Sequence, residues 1–361
     1  MRAVALCIVL CVLAGSVASA APLQKLALQW AVRANPSPVL DGELDDACWK
    51  TAPAFTDYVR IYGDYYQDIA LRAVWDDAGL YLGVTNHERH LERLKVNIRL
   101  REGGYVFEDD CAEFYIDPSG TGYSMFKFDI NSIGVISDFW QVDMSNTDTS
   151  WAAASARAVC GRTTEAWTME FFVSWADLKT TVQPGDIWKF IHQRFSYTAE
   201  DGRRCAMSTS GGNFWNQRFG YMYFVDQALP PPQQVGQQLL KLSTQPWVLS
   251  LNGSWLYARD DRVEELPDTT ILERLRVEAR VALEGVAEVL KRAPNSTSQA
   301  QYTTLHKRFE SAPEQEKPGE LFPAMAEYSA IAGAASDLKD DALLVELIAK
   351  LSQATAQEGT P

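Results

Sequence analysis

The chain has 361 residues, 47% hydrophobic and 22% charged, the composition of a globular protein with room for two or three domains. Its net charge of -14 argues against binding nucleic acid or an anionic membrane through charge, and leaves a neutral or cationic ligand, or a metal ion, easier to accept. No phosphate-binding loop, HExxH motif or Gly-x-Ser-x-Gly nucleophile elbow occurs in it.

Residues 1–20, "MRAVALCIVLCVLAGSVASA", combine one positive charge, an apolar run and an Ala18-Ser19-Ala20 cleavage site. This is the pattern of a secretory signal peptide and predicts a secreted protein, extracellular, periplasmic or at a cell surface. The run is short for a membrane anchor and breaks at Gly15 and Ser16; no later segment is long and apolar enough to span a bilayer. Without the leader's Cys7 and Cys11 four cysteines remain: Cys48, Cys111, Cys160 and Cys205. An even count in an oxidising compartment permits two disulfides, in any of about three pairings; four buried free thiols are the alternative.

From residue 21 to 228 the signals are those of strands. "YLGVT", "CAEFYID", "SMFKFDI", "WTMEFFV", "IWKFIHQRF" and "FGYMYFV" are short and rich in aromatic or β-branched residues, and several alternate. Turn signals such as "DDAG", "DPSGTG" and "QPGD" separate them. The expected fold is mainly β, an antiparallel sandwich of jelly-roll or immunoglobulin-like type. Residues 229–245, with "ALPPPQQVGQQ" at their start, read as a Pro/Gln linker.

Beyond the linker the pattern turns helical, and residues 246–355 read as a helical hairpin or bundle. Thr270-x-x-Glu273 reads as a capping box opening a helix with Leu275, Ala279, Ala282, Val286 and Val289 on one stripe. Ser298-x-x-Gln301 opens a second helix, and a third region from about Leu321 is expected to break near Asp340 and Asp341. Such a tail can dock on the sandwich, self-associate or bind a protein partner. Residues 356–361 are expected to fray.

The stretch "YVFEDDCAEFYIDP", Tyr105 to Pro118, concentrates the chemistry. On an alternating strand Cys111, Glu113, Tyr115 and Asp117 share one face, and Ala112, Phe114 and Ile116 the other, which is the core face. Glu113 then points away from the core, with the Phe107 ring just upstream. Glu108, Asp109 and Asp110 read as a solvated strand entry rather than as a rim to a binding slot or a calcium site. Trp49, Trp75, Trp167 and Trp188 read as core residues. Trp140 and Trp151, around "QVDMSNTDTS", either extend a binding surface or cap the sandwich edge.

Seven blocks in order carry a family likeness: "PVLDGELDDACWKTAPAF", "ALRAVWDDAGLYLGVTN", "EDDCAEFYIDP", "MFKFDINSIG", "WTMEFFVSWADL", "GDIWKFIHQRF" and "NFWNQRFGYMYF". Together they resemble the family 9 carbohydrate-binding modules and their wider relatives, over nearly the whole N-terminal domain. The resemblance implies a β-sandwich that holds the end of a glycan in a slot between two aromatic rings. The positions matching the rings are Phe107, where well-known members carry Trp, and Trp215. Glu113 matches an acid that accepts from sugar hydroxyls, and Lys127 stands where the family carries Arg. Gln193 and Asn213 match further polar contacts. Structural calcium is often held by such modules, and Asp41, Asp45, Asp46, Asp76 and Asp77 supply acids in turns, without EF-hand spacing. Some relatives bind haem instead, for which Met125, Met169, Met207, Met222 and the histidines His87, His90, His192 and His306 are raw material.

A pyranose has an apolar C–H face and a ring of hydroxyls. Aromatic faces cover the first, gaining about 25 cal/mol per Å² removed from water. Carboxylate, amide and cationic groups meet the second, though Lys does so less directionally than Arg. The expected function is non-catalytic carbohydrate binding. Three other readings stand beside it: a component of a glycan-degrading enzyme, a structural surface protein with a ligand-free sandwich, and a haem-binding relative. His87 and His90 in "NHERH" read as a solvated loop, with a metal-facing turn as the alternative.

Overall fold

The computed structural model describes residues 21–65, 67–143, 145–212, 218–243, 245–251 and 253–358, with side chains up to residue 353. The leader, Asn213, Trp215 and the last three residues of the expected frayed end lie outside the described residues. The strands, in chain order, are β1 (Gln24–Lys25), β2 (Leu28–Arg33), β3 (Val59–Tyr62), β4 (Ile69–Trp75), β5 (Gly79–His87), β6 (Cys111–Asp117), β7 (Met125–Asn131), β8 (Ile136–Gln141), β9 (Thr147–Asp148), β10 (Arg157–Arg162), β11 (Ala166–Ser174), β12 (Ile187–Ser196), β13 (Cys205–Ser208), β14 (Gly220–Val225), β15 (Trp247–Leu251), β16 (Ser254–Arg259) and β17 (Arg262–Leu266). The chain divides into two compact units. One is Leu26–Pro230; the other joins the residues up to Lys25 with those from Pro231 onward.

In the Leu26–Pro230 unit the strand order is β10-β11-β5-β4-β2-β14-β12-β6-β7-β8-β9, with β13 on β12 and β3 on β13. The sheet curls on itself into a sandwich. β14 is the hinge between its leaves, pairing with β2 on one edge and with Ile187–Phe190 of β12 on the other. Phe114 and Phe128 of one leaf meet Phe171 of the other at ring-centroid distances of 5.7 and 4.9 Å. The pairing is antiparallel except at β2, which enters between β4 and β14 and runs parallel to both.

The period-2 pattern assigns the faces. Ala112, Phe114 and Ile116 of β6 lie in the main core with Trp75, Trp167 and Trp188. Trp49 is buried in a smaller cluster. The block around "LDGELDDACW" is tied down by Glu170 of β11. One Glu170 oxygen accepts from the backbone N–H of Asp41 and Gly42, both at 2.8 Å, and the other from the Trp49 indole at 2.8 Å. Gly42 has φ +92°, and a Cβ there would sit 2.8 Å from the Gly161 nitrogen, so both conformation and space require glycine. Trp140 and Trp151 pack half-buried on Phe126 at 6.0 and 4.8 Å, capping the sandwich edge.

The second unit departs from the sequence reading in several places. Residues 232–240, expected as linker, form a helix that buries Val235 and Leu239. Beyond it β15, β16 and β17 stand where only helices were expected, and β1, from the segment expected in the sandwich, joins them in a four-stranded sheet. The β16–β17 turn is Asp260-Asp261, with φ of 50° and 62°. This left-handed pair is tolerated by Asp but signals a hairpin far less clearly than Asn-Gly. Three helices follow: Asp268–Arg292, Ser296–Ser311 and Phe322–Glu358. The first has Pro267 at its N-cap, so Thr270 lies inside the first turn and is not the cap. The second is capped by Asn295, whose side chain accepts from Ser298 N, so Ser298 is likewise inside the helix. The third runs unbroken through Asp340 and Asp341. Leu338 and Ala342 are buried on either side, and packing outweighs the modest helix cost of Asp, about 0.7 kcal/mol or less per residue. The expected stripe is seen: Leu275, Ala279, Val286 and Val289 are buried and Ala282 packs against them.

Candidate functional site

Strand register sets the site. Across β12, β6 and β7, Gln193, Glu113 and Asp129 stand opposite one another. One pair further along lies the row Ile191, Tyr115, Lys127 and Phe139. Both rows project from the face of this leaf that is turned away from the main core. Lys127 Nζ lies 2.8 Å from Glu113 Oε1 and 2.9 Å from Asp129. All three side chains are almost wholly enclosed. Burial alone would lower the Lys127 pKa, but the Asp129 and Glu113 charges outweigh it and hold the ammonium charged well past its ordinary range. Burial pushes the Asp129 carboxyl up to about 8, against the pull of Lys127 and with the push of Glu113. Burial likewise raises the Tyr115 hydroxyl, keeping it a neutral donor.

Phe107 sits on the 3-10 turn Val106–Glu108, which Val106 anchors in a small apolar cluster. Its ring is half-buried, 5.4 Å from Lys127 Nζ and 5.3 Å from the exposed Tyr105 ring. The structure therefore gathers Phe107, Glu113 and Lys127 on one face and adds Asp129, Tyr105 and Phe139. Asp129 was legible in "MFKFDIN", because residues two apart on a strand share a face. Gln193 joins the row, but its Nε2 donates to Gly212 O at 2.6 Å, and Ser208 Oγ donates to the same oxygen at 2.8 Å. Gln193 thus fixes the root of the segment that carries Asn213 and Trp215.

The solvated strand entry is corrected for two of its three acids. Glu108 is exposed, but Asp109 and Asp110 are fully buried. Asp109 accepts from Asn97 N, Ile98 N and Asn131 Nδ2; Asp110 accepts from Lys95 N and Tyr197 N. Five donors for two carboxylates offset the desolvation, and the pair pins the 95–98 loop beside the Phe107 turn. Burial still raises the Asp110 carboxyl to about 6.

In "NHERH" Asn86 and Glu88 are buried, and Glu88 is the charged one. Glu88 accepts from Arg194 Nη2 at 2.8 Å and Gln67 Nε2 at 2.6 Å, and both members of the Glu88–Arg194 pair have side-chain exposure of 0%. His87 is exposed and His90 half-exposed. His192 lies in the core, 4.8 Å from the Phe114 ring centroid, with the Tyr58 hydroxyl 2.5 Å from Nδ1. Burial, with Arg194 nearby, lowers its pKa to about 3, so it is neutral. Met169, Met207 and Met222 are core residues.

Of the two readings left open for the cysteines, the structure shows the free thiols: all four are unpaired, Cys111 and Cys205 buried and Cys48 and Cys160 half-buried. Cys111 stands opposite Phe195, and Phe195 opposite Ala206 beside Cys205. Two strand spacings, about 10 Å, separate these thiols' backbones, beyond the about 7 Å a disulfide bridges. Three of the five turn acids accept backbone or hydroxyl hydrogen bonds within the fold. Asp76 accepts from Ala78 N, Gly79 N and the Tyr81 hydroxyl, Asp46 from Val39 N, and Asp41 from Glu43 N. Among the described residues no three His, Cys, Asp or Glu side chains are grouped to hold a metal ion, and no helix is long and apolar enough to cross a membrane.

The family match found on comparison with known proteins falls inside the Leu26–Pro230 unit. Residues 40–225, just over half of the chain, match the model of the family described as carbohydrate family 9 binding domain-like. Two similar solved structures are of a family 9 carbohydrate-binding module from Caldicellulosiruptor kristjanssonii. The one in complex with cellotriose is 16% identical, with a TM-score of 0.42, covering 56% of this chain and 98% of that one. The one in complex with glucose is 15% identical, with a TM-score of 0.43, covering 57% and 99%. No curated protein matches. By the extent of the family match, the chain belongs to the carbohydrate family 9 binding domain-like family.

Proposed function

We propose that the Leu26–Pro230 unit is the non-catalytic carbohydrate-binding module of a secreted protein, serving polysaccharide breakdown or attachment to a cell surface. The observation that carries this reading is the polar row Gln193, Glu113 and Asp129, bridged by Lys127 and bordered by Phe107, on one leaf of a sandwich of this family. Rings suit the C–H face of a sugar, and the charged row suits its hydroxyls. Phe107 and Trp215 form the clamp, Glu113 is the acceptor, and Lys127, Gln193 and Asn213 complete the polar contacts. Glycosidic hydrolysis asks for two carboxylates flanking the bond at about 5–10 Å. Glu113 and Asp129 are instead drawn onto one buried ammonium, which suits holding a sugar rather than cleaving it.

Calorimetry and Trp fluorescence of the full chain against a panel of soluble glycans test this. Trp215→Ala is expected to weaken binding by about ten- to hundredfold, the cost of truncating a central anchor ring. Binding that survives unchanged in that variant moves the site elsewhere. No binding across the panel by a folded wild type removes the reading.

A further inference from the structure

Arg204 borders the same face from the other side. It is half-buried just before β13, with its guanidinium carbon 3.9 Å from the ring centroid of Phe195, 5.3 Å from Tyr62 and 5.9 Å from Phe107. Its Nε is buried and donates to no acceptor. Among the described residues no carboxylate forms an ion pair with it, whereas the adjacent Arg203 is paired with Asp201. Arg204 also lines an open cavity of about 480 Å³ together with Gly63, Tyr65 and Cys205. That volume lies within the range of small-ligand sites, about 300–1,000 Å³. Phe107 joins the two features, for Lys127 lies over it at 5.4 Å and Arg204 at 5.9 Å.

The local charge separates the two cations. Lys127 is committed to Glu113 and Asp129. Of the cavity's acids, Asp201 is held by Arg203, Asp64 lies 4.0 Å from Arg60, and Glu200 is exposed, where solvent and salt screen it. The Tyr62 and Tyr197 hydroxyls lie within hydrogen-bond reach of the Arg204 guanidinium, but its Nε is unspent, so Arg204 is the cation left without an anionic partner beside the Phe107 ring. A planar guanidinium with unspent donors is matched by a planar carboxylate, which takes two parallel hydrogen bonds, better than by a single hydroxyl.

We propose that Arg204 binds the carboxylate of an acidic sugar, so that the ligand of this site is a uronate-containing glycan whose ring rests against Phe107. This rests on the carbohydrate-binding reading above and narrows it. The test is calorimetry of the full chain with matched neutral and acidic sugars: glucose and glucuronate, galactose and galacturonate, mannose and mannuronate. In at least one pair the acidic member is expected to bind about tenfold tighter at low salt, with the margin shrinking as salt is added. Arg204→Gln should abolish the margin while leaving the neutral sugar's affinity in place, and Arg204→Lys should keep part of it. Equal affinities within every pair that binds overturn the proposal while leaving a carbohydrate site, as does a margin that survives Arg204→Gln. Should Arg204→Gln not fold, the wild-type margin, its salt dependence and Arg204→Lys decide. No binding by either member of any pair overturns both this proposal and the carbohydrate reading.

Discussion

Glu88→Ala is expected to lower the unfolding free energy by about 3–5 kcal/mol, the usual cost of stranding one member of a buried ion pair. Glu88 and Arg194 face each other at 2.8 Å with neither side chain exposed. Burial lowers the Arg194 pKa, and Glu88 followed by Asp110 works against that fall. Removing Glu88 leaves the guanidinium in the interior with Asp110 and the His87 carbonyl, which accepts from Arg194 Nη1 at 2.6 Å, and also strips Gln67 of the nearer of its two acceptors. Replacing both members, as Glu88→Leu with Arg194→Met, is expected to recover most of the loss, because no charge then stays buried. Denaturant unfolding of the two single variants and the double variant closes the cycle. A double variant as unstable as the sum of the singles would show that the pair contributes through packing and not through charge.

Lys127→Met is expected to cost a similar amount near neutral pH, about 3–5 kcal/mol, and more as the pH rises. The sign follows from Asp129. Burial first, then Glu113, raises its folded pKa to about 8, while Lys127 lowers it. The unfolded chain gives up this proton near the ordinary value of 3.8 and the folded chain keeps it, so stability falls as pH rises between about 4 and 8. Without the ammonium the carboxyl rises further, so the fall continues above pH 8, where that of the wild type levels off. His192 works in the opposite direction: its folded pKa of about 3 lies below the ordinary value of 6.5, so its contribution is lost as pH falls through that window. The difference between wild type and Lys127→Met cancels such shared terms. The gap in thermal midpoint should stay level from pH 5 to pH 7 and widen above about pH 8, and Asp129→Asn added to Lys127→Met should flatten it. A gap independent of pH would mean that Lys127 acts through its aliphatic stem alone.

The sandwich was legible because its strands alternate. In "CAEFYID" the same period that buries Ala112, Phe114 and Ile116 in the core places Glu113 on the other face, and the turns between blocks carry Gly, Pro and Asp. The core positions of Trp75, Trp167 and Trp188 followed from their strands, whereas Trp49 is buried from a short helix. The Glu88–Arg194 pair was hidden because its partners lie 106 residues apart and no local pattern links them. Asp109 and Asp110 look like solvent-facing acids from composition; their burial depends on backbone donors of the 95–98 loop and of Tyr197, which only the fold brings near. The β15–β17 sheet was masked by an Asp-Asp turn that lacks the usual glycine. At the candidate site, Phe107, Glu113 and Lys127 stood out by motif, while Arg204, which reaches the Phe107 ring, and Tyr62, which lies under Arg204, come from beside β13 and from β3, two short segments with weak patterns of their own.

A crystal structure of the full chain with the tightest-binding glycan tests the carbohydrate site most directly. The sugar ring is expected against Phe107 on the outer face of β6, β7 and β12, with a hydroxyl within hydrogen-bond distance of Glu113. A sugar seated on the other leaf of the sandwich, or on the helical unit, would contradict the assignment.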